Sequence, residues 1–190
     1  MSDPLPAMKP LYPLGSSTPR SETIGPVTLT ENPDTALASF TARLGSENTA
    51  RGALRSYIGA DTPDPGSASL GEIGAFWTGS DQWMVMAPHA SHEDLAAQLV
   101  SAAKDSASVT EQTDAWCRFD LSGSGLAEVF ERLCPVNIRA CQPGDATRTS
   151  IDHLGCFLVF QAADLITVLG PRSSAGSLHH ALRTAMRSAH

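Results

Sequence analysis

The chain has 190 residues, of which 42% are hydrophobic, and its 20 Asp and Glu outnumber its 13 Lys and Arg to give a net charge of −7. This length and composition predict one globular domain with a substantial hydrophobic core. The acidic balance argues against nucleic acid as the main partner, because phosphate contacts require clustered Lys and Arg.

Export and membrane insertion are not expected either. The N-terminus lacks the apolar stretch of a signal peptide, and the longest apolar run, residues 156–160, is too short to span a bilayer. The four cysteines include no Cys-x-x-Cys pair, which argues against a zinc ribbon. We therefore expect a cytoplasmic protein with reduced thiols.

Proline dominates the N-terminal segment, because seven of the 13 prolines fall within residues 1–33. Proline fixes φ and cannot donate to a strand ladder, so residues 1–25 are predicted to form an extended arm. Several apolar residues favour an arm docked along a surface over a disordered tail; they are Leu5, Met8, Leu11, Tyr12 and Leu14. The domain proper is expected to span residues 26–190.

The first part of the domain is predicted to contain one strand and two helices. Residues 27–30 are expected to form a short strand. Asp34 or Thr35 is expected to cap a helix over residues 36–44, and a second helix is predicted over residues 47–58.

Residues 74–88 carry the pattern of a β-hairpin. Residues 82–87 are nearly all apolar, which is typical of a strand covered on both faces. The segment Gly79-Ser80-Asp81 stands between two apolar runs and predicts the turn.

A helix and then a strand are predicted next. Ser91 begins a Ser-x-x-acid pattern that resembles a capping box. The buried face of the helix is expected to include Leu95, Leu99 and Val100. One strand is predicted over residues 107–121, and alternate residues share its faces. Its buried face is expected to hold Cys117, Phe119 and Leu121, with Trp116, Arg118 and Asp120 on the other face.

The C-terminal third is predicted to contain two more helices around a group of strands. The first helix covers residues 126–133 and ends before Pro135. The strands are expected at residues 148–151, 155–161 and 165–169. Helices interleaved with antiparallel hairpins predict an α+β fold, in which antiparallel sheets and helices form a sandwich of ferredoxin-like units.

Few residues carry a catalytic pattern. His89 and His92 lack a third ligand at a fitting spacing, which disfavours a metal site. Gly123-Ser124-Gly125 lacks the lysine of a phosphate-binding loop and favours a tight turn between strand and helix. Cys134 has no base near it in sequence and favours a packed thiol. We therefore predict no catalytic, cofactor-binding or metal-binding residue.

Two groups of residues are candidates for an interface with another chain. The first is the three tryptophans, whose large aromatic area suits either a core or an interface: Trp77, Trp83 and Trp116. The second group lies just before the last predicted helix, where it could bind an anion or dock a carboxylate of a partner chain. It consists of Arg172, Ser173 and Ser174.

Four segments follow the order and spacing of a known family. They are Phe76-Trp77-Thr78-Gly79-x-Asp81-Gln82-Trp83-Met84-Val85, Val109-Thr110-Glu111-Gln112-Thr113-Asp114, Arg148-Thr149-x-Ile151-x-His153-Leu154-Gly155-Cys156 and Leu169-Gly170-Pro171-Arg172-Ser173-x-Ala175. On these segments, residues 25–188 resemble the gamma subunit of bacterial heterotetrameric sarcosine oxidase. The residues before them carry little of the resemblance.

The resemblance implies a fold similar to the folate-binding domain of aminomethyltransferases. It also implies a complex with alpha, beta and delta subunits that oxidatively demethylates sarcosine to glycine, while oxygen is reduced to hydrogen peroxide. FAD, covalently attached FMN, NAD, zinc and tetrahydrofolate are expected in the partner subunits, with no cofactor in this chain. The chain itself is expected to be a non-catalytic subunit.

The main alternative is a free-standing folate-binding or one-carbon-transfer protein of the same fold. Such enzymes are usually longer than this chain, and the Lys-Gly-Cys-type motif of the folate-dependent iron–sulfur assembly proteins does not occur in the sequence. A subunit of a related N-methyl amino-acid oxidase would differ only in its substrate, which this chain does not decide.

Overall fold

The computed structural model describes residues 11–190. Within them the chain forms two antiparallel sheets and four α-helices. In spatial order, the first sheet consists of β1 (Ser21–Ile24), β2 (Val27–Glu31), β8 (Trp116–Gly123), β11 (Leu165–Pro171), β10 (Leu154–Ala162) and β9 (Ala146–Ile151). The second sheet consists of β4 (Ala68–Ser69), β5 (Gly74–Gly79), β6 (Gln82–Ala87), β3 (Ala36–Ala42) and β7 (Ala107–Glu111). The helices are α1 (Glu47–Ile58), α2 (Leu95–Ala103), α3 (Leu126–Phe130) and α4 (Ala175–Ala189).

The two sheets pack face to face and the helices cover their outer faces, which gives four layers. α1 and α2 bury the second sheet around Phe40, Leu54 and Trp83. α3 and α4 bury the first sheet around Phe119 and Leu182. A third apolar cluster fills the space between the sheets; it consists of Leu37, Phe76, Met84, Met86, Ala146, Phe157, Val159 and Leu169.

Both sheets have ferredoxin-like connectivity. In the second sheet the order β5-β6-β3-β7, with α1 and α2 as connections, is the βαββαβ arrangement. In the first sheet β8, β10 and β11 form the same arrangement with α3 and α4, but its fourth strand is β2 from the N-terminal end of the chain. The predicted α+β fold with ferredoxin-like units is therefore confirmed.

The C-terminus lies beside the hairpin that supplies this fourth strand. The side chain of His190 packs against Gly25 and Gly125, which have φ values of 57° and 87°. A Cβ added to Gly25 would lie 2.6 Å from the Cβ of His190. Larger residues at these two positions would therefore displace the end of α4.

The predicted N-terminal arm is described only in part. Residues 1–10, with Leu5 and Met8, lie outside the described residues. Residues 11–20 form turns and bends, and β1 then pairs with β2 in an antiparallel hairpin. The boundary expected at residue 25 therefore falls inside a hairpin of the first sheet.

The helix predicted over residues 36–44 is wrong, because this segment is β3, a central strand of the second sheet. Phe40 faces α1 and α2, whereas Leu37 faces the first sheet. Burial on both faces removes the alternation that identifies a strand in sequence. Leu44, expected on the buried face of a helix, is 99% exposed.

The predicted caps of that helix have other roles. The Asp34 carboxylate accepts a hydrogen bond from the Ala90 N–H at 2.9 Å. The Thr35 hydroxyl accepts one from the Arg118 guanidinium at 3.2 Å. Both side chains thus connect β3 to more distant parts of the chain.

The strand predicted over residues 107–121 is two strands, β7 and β8, which belong to different sheets. The chain turns between them, where the Ala115 N–H donates to the Gln112 carbonyl at 3.0 Å. This turn takes the chain from one sheet to the other.

Three predicted helix features are also wrong. The capping box at Ser91 does not form, because α2 begins only at Leu95, and Val100 is 51% exposed instead of buried. α3 ends at Phe130, well before Pro135.

The other predicted elements form. They are the strand at β2, the helix α1, the hairpin of β5 and β6, the strands β9, β10 and β11, and the helix α4. Cys117, Phe119 and Leu121 are buried on one face of β8, as predicted.

Candidate functional site

A polar network lies between the two sheets, on the inner face of the first. In β8 the odd-numbered residues face the helices, so Arg118 and Asp120 point to the opposite side. The strand register then places Asp120 beside Thr167, which is completely buried on β11. Charged side chains therefore enter a layer that is otherwise apolar.

Asp120 is the centre of this network. Its Oδ1 accepts hydrogen bonds from Arg118 Nε at 2.9 Å and from the Thr167 hydroxyl at 2.7 Å. Its Oδ2 accepts one from Asn32 Nδ2 at 2.8 Å. The side chains of Arg118 and Asp120 are 19% and 15% exposed. The carboxylate thus fixes the orientation of the Arg118 guanidinium.

Two cavities adjoin this network. The walls of both include Asn32, Thr35 and Arg118. The first has a volume of about 280 Å³ and is lined by the carboxylates of Asp34 and Glu72; we call it the acidic cavity. The second has a volume of about 290 Å³; we call it the arm cavity, and its walls include Leu11, Tyr12, Pro13, Leu37, His89, Asp114, Trp116, Cys117, Arg118 and Arg172.

A buried carboxylate holds the N-terminal segment against the arm cavity. Glu31 is 1% exposed. Its Oε1 accepts a hydrogen bond from the Leu14 N–H at 2.9 Å, and its Oε2 accepts one from the Arg20 N–H at 3.1 Å. The Glu31 N–H also donates to the Arg20 carbonyl at 2.8 Å. Residues 14–20 are thereby fixed to β2.

Arg172 is a second attachment point for this segment. Its Nη2 donates to the Leu11 carbonyl at 3.0 Å, and its Nη1 lies 3.7 Å from the Asp114 carboxylate. Ser173 is exposed and Ser174 is partly buried, and the Ser174 side chain makes no capping hydrogen bond to α4. The Arg172 guanidinium therefore already contacts two groups of its own chain.

The three tryptophans occupy different environments. Trp83 is completely buried, donates to the Pro63 carbonyl at 2.8 Å and has the Arg51 guanidinium 4.9 Å above its ring, so it supplies core area rather than surface. Trp77 is partly buried beside the same core. Trp116 packs on Phe157 between the sheets, with ring centroids 5.4 Å apart, and lines the arm cavity.

Two buried thiols and one outer carboxyl have shifted pKa values. Burial raises the pKa of the Cys117 thiol to about 11 and that of Cys156 to about 12, so both are protonated near neutral pH. Within residues 11–190 all four cysteines are free, and no group of three or more His, Cys, Asp or Glu is placed to hold a metal. On the outer face, a hydrogen bond from Arg183 lowers the pKa of the Glu22 carboxyl.

The sequence reasoning did not single out the network or Glu31. The available signal was an Arg and an Asp two positions apart on the face of β8 opposite the apolar residues. Their partners lie far apart in sequence: Asn32 directly follows β2, and Thr167 lies in β11. Only the folded topology brings these groups together.

Comparison with known proteins identifies the fold. No family model and no curated protein matches the sequence. A chain of heterotetrameric sarcosine oxidase from Corynebacterium sp. U-96, solved in complex with pyrrole 2-carboxylate, is similar over 85% of this chain and 84% of its own, with a TM-score of 0.76 and 23% identity. Aminomethyltransferase T of the glycine cleavage system from Bartonella henselae is similar over 87% of this chain, with a TM-score of 0.66 and 14% identity.

This chain covers 47% of the aminomethyltransferase, about half its length. No helix among the described residues is long and apolar enough to cross a membrane. The predicted similarity to the aminomethyltransferase fold is confirmed, and the chain has the fold that these two proteins share.

Proposed function

We propose that this chain is the gamma subunit of a heterotetrameric sarcosine oxidase, a non-catalytic subunit that supports assembly of the flavoenzyme. The observation that carries the proposal is the fold similarity to a sarcosine oxidase chain, which extends over nearly equal shares of both chains. A protein related by one shared domain only would leave much of one chain uncovered. The four sequence segments that resemble the gamma subunit support the same assignment.

The chemistry of the described residues fits a subunit that leaves catalysis to its partners. The two most buried thiols are protonated near neutral pH, and the Asp120 carboxylate between the sheets already accepts three hydrogen bonds from its own chain. The alpha, beta and delta subunits would then carry FAD, FMN, NAD, zinc and tetrahydrofolate. With free thiols throughout residues 11–190, such a complex suits the reducing cytoplasm.

Co-expression tests the assignment. The tagged chain is produced together with the alpha, beta and delta subunits of the same host, and the purified material is examined by size-exclusion chromatography and visible absorbance. We expect one large species with flavin bands that are bleached by sarcosine. A colourless chain that elutes alone would contradict the proposal.

We place one interface at the N-terminal segment and the adjoining turn at Arg172, Ser173 and Ser174. This segment is fixed to the domain by Glu31 and Arg172, and Leu11 at its start is 55% exposed. Two deletions, of residues 1–10 and 1–20, separate the residues outside the described range from the segment that Glu31 and Arg172 hold. We expect the longer deletion to lower the yield of the complex while the isolated chain still folds; an unchanged yield would exclude this interface.

A free-standing folate-binding protein is the second candidate. The observation in its favour is the polar region between the sheets, in a fold shared with an aminomethyltransferase. Isothermal titration of the isolated chain with 5-formyltetrahydrofolate distinguishes the two. Tight binding together with failure to form a complex would favour this candidate over the subunit.

A further inference from the structure

Arg118 has more hydrogen-bond donors than the chain uses. A guanidinium carries five N–H donors. Nε is taken by Asp120 and one Nη1 donor by Thr35. The remaining three N–H donors have no partner among residues 11–190, although the side chain is only 19% exposed. Its orientation is fixed by Asp120, so the unused donors form a rigid group at the walls of the cavities.

The wall of the arm cavity contains two guanidinium groups, each paired with one carboxylate. Two of its lining side chains, Arg118 and Arg172, are permanently charged. The one carboxylate in its wall, Asp114, is 92% exposed and 3.7 Å from Arg172. Asp120 lies behind Arg118, where its two oxygens already accept three hydrogen bonds. The acidic cavity shares Arg118 with the arm cavity, but its wall also contains Asp34 and Glu72.

The other walls of the arm cavity are apolar and partly aromatic. This surface includes the side chains of Trp116, Leu37 and Tyr12. The volume of about 290 Å³ is roughly twice that of an engineered cavity, about 150 Å³, that holds benzene. A single ring with one polar substituent therefore fits, whereas a molecule much larger than this does not.

We propose that the arm cavity is a binding site for a small organic monocarboxylate with a flat apolar body. Its carboxylate is bound by Arg118 and Arg172, and its body packs on Trp116 beneath residues 11–13. The site shares Arg172 and residues 11–13 with the interface proposed above, but it does not rest on the assembly role, because the test uses the full chain alone.

Benzoate is the probe, with benzamide as the uncharged control and benzamidine as the cationic control of the same shape. Binding is measured by isothermal titration and by the indole N–H signals in ¹H–¹⁵N spectra, with Trp116→Phe assigning the Trp116 signal. We expect benzoate to bind at one site and to move the Trp116 signal but not that of the buried Trp83. Benzamide and benzamidine are expected to bind at least about tenfold more weakly than benzoate, because neither can form the charged hydrogen bonds of a carboxylate.

Variants identify the binding groups. Arg118→Gln is expected to weaken benzoate binding about tenfold or more, whereas Arg55→Gln, an exposed arginine paired with Asp61 on another surface, leaves it unchanged. Because Arg118→Gln leaves Asp120 without its cation, its folding is checked by thermal unfolding. Arg172→Gln, at a side chain that is 34% exposed, tests the same cavity if Arg118→Gln fails to fold.

Three results would each overturn the proposal. The first is the absence of benzoate binding at concentrations up to about 10 mM. The second is equal binding of benzoate and benzamide, which would remove the role of the cations. The third is unchanged benzoate affinity in Arg172→Gln and in a folded Arg118→Gln.

Discussion

Glu31→Gln tests how the N-terminal segment is held. The wild-type carboxylate accepts backbone N–H groups on both oxygens, from Leu14 at 2.9 Å and from Arg20 at 3.1 Å. Glutamine keeps the shape but offers one carbonyl oxygen, so its NH₂ group faces one of the two donors. One charge-assisted hydrogen bond is lost and a partly buried N–H stays unpaired, which costs about 2–3 kcal/mol of unfolding free energy. The melting temperature should fall by roughly 5–10 °C.

Urea unfolding measures the loss of stability, and trypsin measures the loss of local attachment. The bond after Arg20 joins the fixed segment to β1, and we expect trypsin to cut it faster in Glu31→Gln than in the wild type. Glu93→Gln is the matched control, because Glu93 is exposed and has no hydrogen-bond partner among the described residues. If Glu31→Gln matches Glu93→Gln in both assays, Glu31 does not hold the segment.

Three further predictions concern packing and ionisation. Gly170→Ala should destabilise the folded protein by about 1–3 kcal/mol, because the added Cβ would lie 2.4 Å from a leucine methyl of α4. Gly176→Ala should stabilise it by about 0.5–1 kcal/mol, because the added Cβ would have no atom within 4 Å. Thermal unfolding compares the two variants. Glu22 stabilises the folded protein above its unfolded pKa of 4.5, and this stabilisation is lost as the pH falls through its lower folded pKa. The free energy of unfolding of Glu22→Gln should therefore depend less on pH in this acidic range than that of the wild type. Cys117 and Cys156 should react with a thiol reagent at pH 8 only after unfolding; equal rates for all four thiols in the native protein would contradict their burial.

Much of the fold follows from local patterns. The alternation in β8 correctly predicted a face of Cys117, Phe119 and Leu121, because one side of that strand is apolar and the other is not. The apolar run of β6 was identified because a hairpin turn precedes it. These features depend only on residues close to each other in the chain.

β3 was mistaken for a helix because its environment is not local. The strand lies between β6 and β7 and is buried on both faces, so its residues show no alternation, and Asp34 and Thr35 before it resemble helix caps. The same limit applies to the polar network. Nothing near Asp120 in sequence indicates that Asn32 and Thr167 reach it, since strand pairing across the whole chain decides those contacts.

The use of β2 as the fourth strand of the first sheet has a consequence for synthesis on the ribosome. The second sheet is built from residues 36–111 and is continuous in the chain, so it is complete before β8 emerges. The first sheet requires residue 27 to pair with residue 123, and its helix α4 is made after all of its strands. The hairpin of β1 and β2 is thus made before the second sheet, but it can pair with β8 only after that sheet has been made.

Until that pairing forms, β8 presents an open edge whose N–H and C=O groups are free to pair with another chain. A chain that starts after β2 keeps this edge permanently, so we expect it to aggregate rather than to remain a smaller folded unit. The N-terminal hairpin therefore protects the newly made protein from association with its own copies, in addition to completing its sheet.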